Sequence, residues 1–152
     1  PDDILGFKKI KDAHPDVKLA TGEMIQNKVM FKQFIENKSL DYCQIDSCRI
    51  ASINEIIPVL LMASKFNIPV IPHAGGIGLC EYVQHLNLIN KFIITKNDLS
   101  LSEYAESCSE HFENPAIIKS GGYVTPTSPG YSVKIKENSL EEFDFNNGKY
   151  WN

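Results

Sequence analysis

The stretch Ile68–Glu81, IPVIPHAGGIGLCE, runs a β-branched apolar segment into a histidine and then into a glycine-rich turn. An earlier stretch, Gln44–Ile50 (QIDSCRI), does the same with an aspartate. Each ends an apolar run on a titratable group, His73 in one and Asp46 in the other. Burying such a group is costly unless it is paired or at work. The two stretches therefore read as the carboxyl ends of buried strands, where a polar side chain has a reason to stand.

Working outward, four β-rich runs emerge: VKLAT (Val17–Thr21), DYCQID (Asp41–Asp46), IPVIP (Ile68–Pro72) and KFIIT (Lys91–Thr95). They start roughly 22 to 27 residues apart, the length of a strand–helix unit. Helical periodicity fills the gaps. Val29, Phe31, Phe34 and Ile35 share one face, and Ile53, Ile56, Ile57, Leu60 and Leu61 share another. Ser52 and Glu55 have capping-box spacing, and Pro58 predicts a kink or a lost hydrogen bond inside that helix. Leu79, Val83 and Leu86 mark a third helix, and another covers residues 3–13 before the first strand.

Such alternation predicts an α/β fold with parallel strands and right-handed crossovers. An open doubly wound sheet and a (β/α)8 barrel both fit. A barrel needs about 250 residues, so 152 residues hold only half of one. In both architectures ligands bind at the carboxyl ends of the strands. Beyond Phe112 the sequence turns rich in Pro, Gly, Ser and Asn. We expect residues 1–112 to form the (β/α) domain and residues 113–152 an extended C-terminal tail, with a short helix from Ser139. Tyr123, Tyr131, Phe143 and Trp151 are expected to pin that tail to the core.

Composition narrows the function classes. A net charge of −4 gives no footprint for nucleic acid or an anionic membrane, and no apolar run is long enough to span a bilayer. Of four cysteines none forms a C-x-x-C pair, so reduced thiols and an intracellular setting are expected. Cys43 and Cys80 read as buried, and Cys48 lacks an evident base.

Glu23, Asp46 and His73 end three consecutive strands on one face. Neighbouring strands lie about 4.8 Å apart, so Asp46 can meet His73 and fix its tautomer. Such a histidine suits proton transfer. Glu23 suits a hard cation such as Mg2+, though one carboxylate cannot hold it alone. Each residue alone has a plainer reading: a loop carboxylate, a partner of Arg49, a capped loop histidine. HAGGIG (His73–Gly78) permits a phosphate cradle but lacks both G-x-G-x-x-G spacing and a P-loop lysine. Glu81, His85 and His111 read as solvated helix positions and His14 as part of a turn.

ATGEMIQNKVMFKQFIENKSLDYCQIDSCRIASINE and IPVIPHAGGIGLCEYVQH together resemble the C-terminal barrel half of the enolase superfamily, in its mandelate-racemase-like subgroup. The likeness extends to PDDILG at the start and PGYS late in the chain. It implies that the four runs are barrel strands five to eight, and that the protein is an acid-sugar dehydratase. It further implies that Glu23 is one Mg2+ ligand and that His73, oriented by Asp46, is the general acid. The metal would stabilise an enediolate, and the product would be a 2-keto-3-deoxy sugar acid. The family's lysine base and two other metal carboxylates would lie before residue 1, so this chain alone is expected to be inactive. Asp98 aligns with a substrate-contacting glutamate and is one carbon shorter. An isolated half-barrel is expected to dimerise, aggregate or borrow its missing half. The cytoplasm or the mitochondrion is the expected compartment.

Overall fold

The computed structural model describes residues 2–96, 100–105 and 107–151. Helix α1 (Ile4–Ala13) is capped by Asp3, whose Oδ1 accepts from the Gly6 N–H at 2.8 Å. Strand β1 (Ala20–Thr21) follows, then α2 (Lys28–Glu36), capped by Asn27 through the Met30 N–H. Strand β2 (Tyr42–Cys43) pairs parallel to β1, with Ala20 opposite Tyr42 and Thr21 opposite Cys43. Helix α3 (Ile53–Lys65) carries Pro58 within it. A third extended segment joins the other side of β2 by a parallel bridge between Cys43 and Val70. Helix α4 (Leu79–Ile89) begins at Gly78, whose φ of 76° is one that L side chains rarely adopt.

The short ladder is extended by bonds beyond the strands proper. Gln44 N–H donates to Thr21 O, Cys43 N–H to Pro69 O, Ile71 N–H to Cys43 O and His73 N–H to Ile45 O, all at 2.9 Å. Three of the four sequence-predicted runs thus lie side by side and parallel.

The fourth run is different. Lys91–Thr95, expected as a strand, continues α4 as a wider π-helical turn over Asn90–Thr95. No glycine or proline interrupts the chain between Gly78 and Lys96, so nothing stops the helix until Lys96 takes a left-handed φ of 52°. The β-preference of Phe92, Ile93, Ile94 and Thr95 is overridden. Ile94 packs on the core, while Phe92 and Ile93 face out.

The core lies between the strands and the α2–α3 pair, with Phe31, Phe34, Ile35, Cys43, Ile45, Ile56, Val59 and Leu60 buried. Val29, Ile53 and Leu61 lie outside it, so the buried faces of α2 and α3 are narrower than the apolar pattern. The Ser52–Glu55 capping box does not form. Glu55 instead accepts from the Lys28 backbone N–H at 3.0 Å and pairs with the Lys28 ammonium at 2.6 Å. The Lys28 ammonium adds an ion pair that a capping box lacks, and the two bonds join the first turns of two helices.

Beyond residue 112 the chain returns across the same body. Phe112 bridges Ile135, a hairpin joins β3 (Ile118–Lys119) to β4 (Gly122–Tyr123), and α5 spans Glu137–Phe143. Glu81, read from sequence as solvated, is buried at 2% exposure, and its Oε1 accepts from the Ala116 N–H at 3.0 Å. It sits on the side of α4 that this returning segment covers. His85 bonds Ser132 and His111 bonds Ser139. Tyr131 lies tilted beside Tyr82 and Phe143 edge-on to His111, whereas Trp151 meets Tyr150 and Phe145 of its own segment.

Helix α1 buries no residue completely; Ile4 and Phe7 pack on the core, Lys11 bonds the Leu40 carbonyl, and Asp41 adds an ion pair. Asp41 accepts from the Leu19 N–H and pairs with Lys11 at 3.0 Å each. Burial pushes the Asp41 carboxyl up, but the Leu19 and Lys11 bonds outweigh it and hold the group below its ordinary value. A depressed folded value means the contribution is complete above the unfolded value of about 3.9 and is lost as pH falls through the folded one. Asp41→Asn should therefore cost about 1 kcal/mol at neutral pH in urea unfolding. The gap to the wild type should close on acidification. A gap of constant size would contradict this reading.

Candidate active site

Three strand ends deliver the site. Gly22 follows β1 with φ 139°, and a Cβ there would stand 2.9 Å from Gln44 O and from Phe31. Only glycine passes that close to β2, and it sets Glu23 just beyond the strand end. His73 is held by its own N–H on Ile45 O. Its side chain is 17% exposed, against 47% for Glu23.

His73 Nδ1 lies 3.4 Å from Glu23 Oε2 and 2.9 Å from Oε2 of Glu103. The sequence reading missed Glu103, which sits thirty residues downstream in a stretch without strand or helix periodicity. The same oxygen accepts from the Ala74 N–H at 2.7 Å and lies 3.4 Å from Gln44 Nε2. Tyr123 donates its hydroxyl to the Glu103 carbonyl at 2.7 Å. Burial pushes the Tyr123 phenol up, which keeps that donor protonated.

The expected Asp46–His73 bond is absent among the described residues. Asp46 is buried beside the same strand end, but its Oδ1 accepts from the Cys48 N–H at 2.7 Å and the Arg49 N–H at 3.3 Å. The Oδ1 of this short side chain is spent on its own turn. Arg49 meets it through the backbone, while its guanidinium contacts Met24. Partial burial, then the Asp46 charge, holds the Cys48 thiol above its ordinary value, the wrong direction for a nucleophile. Asp98 lies outside the described residues.

Of the glycines after His73, Gly75 makes room for the ring. A Cβ on Gly75 would lie 2.6 Å from His73 Cε1 and 3.0 Å from Nε2. Three amides along this turn already have partners: Ala74 N–H on Glu103, Gly76 N–H on Ala74 O and Leu79 N–H on Gly76 O. Mg2+ takes about six oxygens. Among the described residues no group of three His, Cys, Asp or Glu side chains could hold a metal ion. Glu23 carries a single carboxylate, and the described residues do not by themselves make a complete Mg2+ site. What they do make is an imidazole anchored at one nitrogen, suited to moving a proton at the other.

The model of the family described as enolase C-terminal domain-like matches residues 1–139. Mitochondrial enolase superfamily member 1 of Xenopus laevis is 50% identical over 99% of this chain and 35% of its own length. The human protein of that name, a solved structure, is 45% identical with a TM-score of 0.94, over 99% of this chain and 35% of that one. L-galactonate dehydratase of Hypocrea jecorina is 48% identical over 95% of this chain and 32% of its own. Rhamnonate dehydratase of Gibberella zeae complexed with Mg is 28% identical, with a TM-score of 0.71 over 91% of this chain and 35% of that one. The chain thus spans about a third of the length of the curated relatives it matches.

Gly75→Ala should displace the His73 ring and lengthen its contact with Glu103. We expect a loss of about 1–3 kcal/mol in stability from overpacking, with chemical-shift changes centred on His73 and Ala74. An unmoved ring would show that the glycine serves another purpose.

Proposed function

The chain belongs to the enolase C-terminal domain-like family, and from that premise we propose that it is the acid–base part of a Mg2+-dependent acid-sugar dehydratase. The observation that carries the reading is His73, anchored through Nδ1 at a parallel strand end with Glu23 beside it. His73 is the general acid. Its Nε2 proton passes to the departing 3-hydroxyl as the carbon–oxygen bond breaks, so that the group leaves as water. The resulting enol tautomerises to a 2-keto-3-deoxy acid. Glu23 is one oxygen ligand of the cation. The base that removes the proton next to the substrate carboxylate, and the remaining ligands, come from outside this chain. Asp46 shapes the turn beside them.

L-fuconate is the first substrate to try. It is the 6-deoxy form of L-galactonate, the acid named for the Hypocrea jecorina relative, so the two share configuration around the reacting carbons. The setting is intracellular, cytoplasmic or mitochondrial, and the second fits the name of the Xenopus laevis relative. A second reading has one observation in its favour. With no complete metal cluster among the described residues, the chain by itself is inactive and persists as a binding partner.

Keto-acid formation from L-fuconate separates these readings. The chain joined to the rest of its barrel should turn over in Mg2+ and stop in excess chelator. His73→Asn in that protein should lower kcat by about 100-fold or more. Undiminished turnover would remove His73 from the role of acid. Turnover by the 152-residue chain alone would remove the need for residues outside it.

A further inference from the structure

Arg49 is the single arginine of the sequence, and it stands at the face where the strands end. It lies in the exposed turn that follows the second strand end. Asp46 takes its backbone N–H at 3.3 Å and leaves the guanidinium alone. The guanidinium reaches across to the first strand end, where Nη2 stands 3.7 Å from the Met24 sulfur. Met24 directly follows Glu23. A thioether is a weak acceptor, whereas a guanidinium has five donors in a planar fork. Among the described residues no carboxylate pairs with it. A cation with donors to spare therefore sits on the rim of the proposed site.

We propose that Arg49 binds the hydroxyl-bearing end of the substrate, the part beyond the reacting carbons. This rests on the acid-sugar dehydratase reading above and names the residue that holds the rest of the sugar chain. The first three carbons are served by the metal, the base and His73. Arg49 is exposed and flanks Glu23 through Met24, so it meets what projects outward from those carbons. A planar fork suits two neighbouring hydroxyls, and bonds from a charged donor are about twice as strong as neutral ones. Such a residue selects acids by the length and hydroxylation of their chains.

Calorimetric titration of the chain joined to the rest of its barrel, in Mg2+ and with His73→Asn to keep the acid intact, reads binding apart from turnover. The two probes are L-fuconate and glycerate, an acid that keeps only the reacting carbons. Arg49→Met should weaken L-fuconate about 10- to 100-fold and glycerate less than about twofold. An unchanged affinity for L-fuconate would overturn the proposal. So would an equal loss for both acids, because it would put Arg49 at the carboxylate end or in the scaffold. Should Arg49→Met fail to fold, Arg49→Lys keeps the charge without the fork. It should still lose part of the L-fuconate affinity and none of that for glycerate, and full retention of both counts against us. With His73 restored, Arg49→Met should raise KM for L-fuconate by more than it lowers kcat. Binding without dehydration in the protein that retains His73 would sink the proposed reaction, while the ratio of affinities would still judge Arg49. Failure of the joined protein to bind L-fuconate at all would overturn both.

Discussion

The parallel register through Cys43 is the constraint on which the rest depends. β2 is the middle of three segments, and Cys43 is bonded toward the third while Gln44 is bonded toward the first. Parallel strands share a direction, so their carboxyl ends fall on one side. Glu23, Asp46 and His73 are neighbours for that reason alone. A slip of one residue would invert the faces of β2 and expose Cys43 and Ile45, both fully buried. Core burial therefore fixes the register, and the register fixes the site.

Packing on the outer side serves the same end. Phe31 and Phe34 of α2 and Val59 and Leu60 of α3 fill the space behind the strands. The Glu55–Lys28 bond ties those helices together at their first turns. The site then depends on two close approaches that exclude a side chain. Gly22 lets the chain pass Gln44 O, and Gly75 leaves room for the imidazole ring. Neither glycine has a side chain to offer, yet Gly22 decides where Glu23 stands and Gly75 where the His73 ring stands.

Much of this was legible in the sequence, because strand ends and periodicity are local signals. VKLAT, DYCQID and IPVIP are bounded by turns or polar residues, and each lies in the parallel array. KFIIT looked alike but had no breaker before it, and helix continuity prevailed over β-preference. The Asp46–His73 bond followed from strand spacing, which gives proximity and not direction. It did not show that Asp46 would spend its oxygen on the Cys48 and Arg49 amides. Glu103 carried no local signal, since its partners lie 20 to 59 residues away. Glu81 was misjudged because its burial is supplied by residue 116, which nothing in α4 announces.

The Tyr123–Glu103 bond joins parts of the chain with different local stability. The hairpin that carries Tyr123 has two residues in each strand, with nothing near Gly121 and Gly122 where side chains would be. Short, exposed pairings of this kind open at a lower free energy than buried core strands. Each opening withdraws the hydroxyl that holds the Glu103 carbonyl, and with it one support of the imidazole. The histidine stands on the core strands, while one contact behind its neighbour Glu103 belongs to the hairpin. A late, exposed segment of the chain thus contributes one of the contacts around a site that the core strands position.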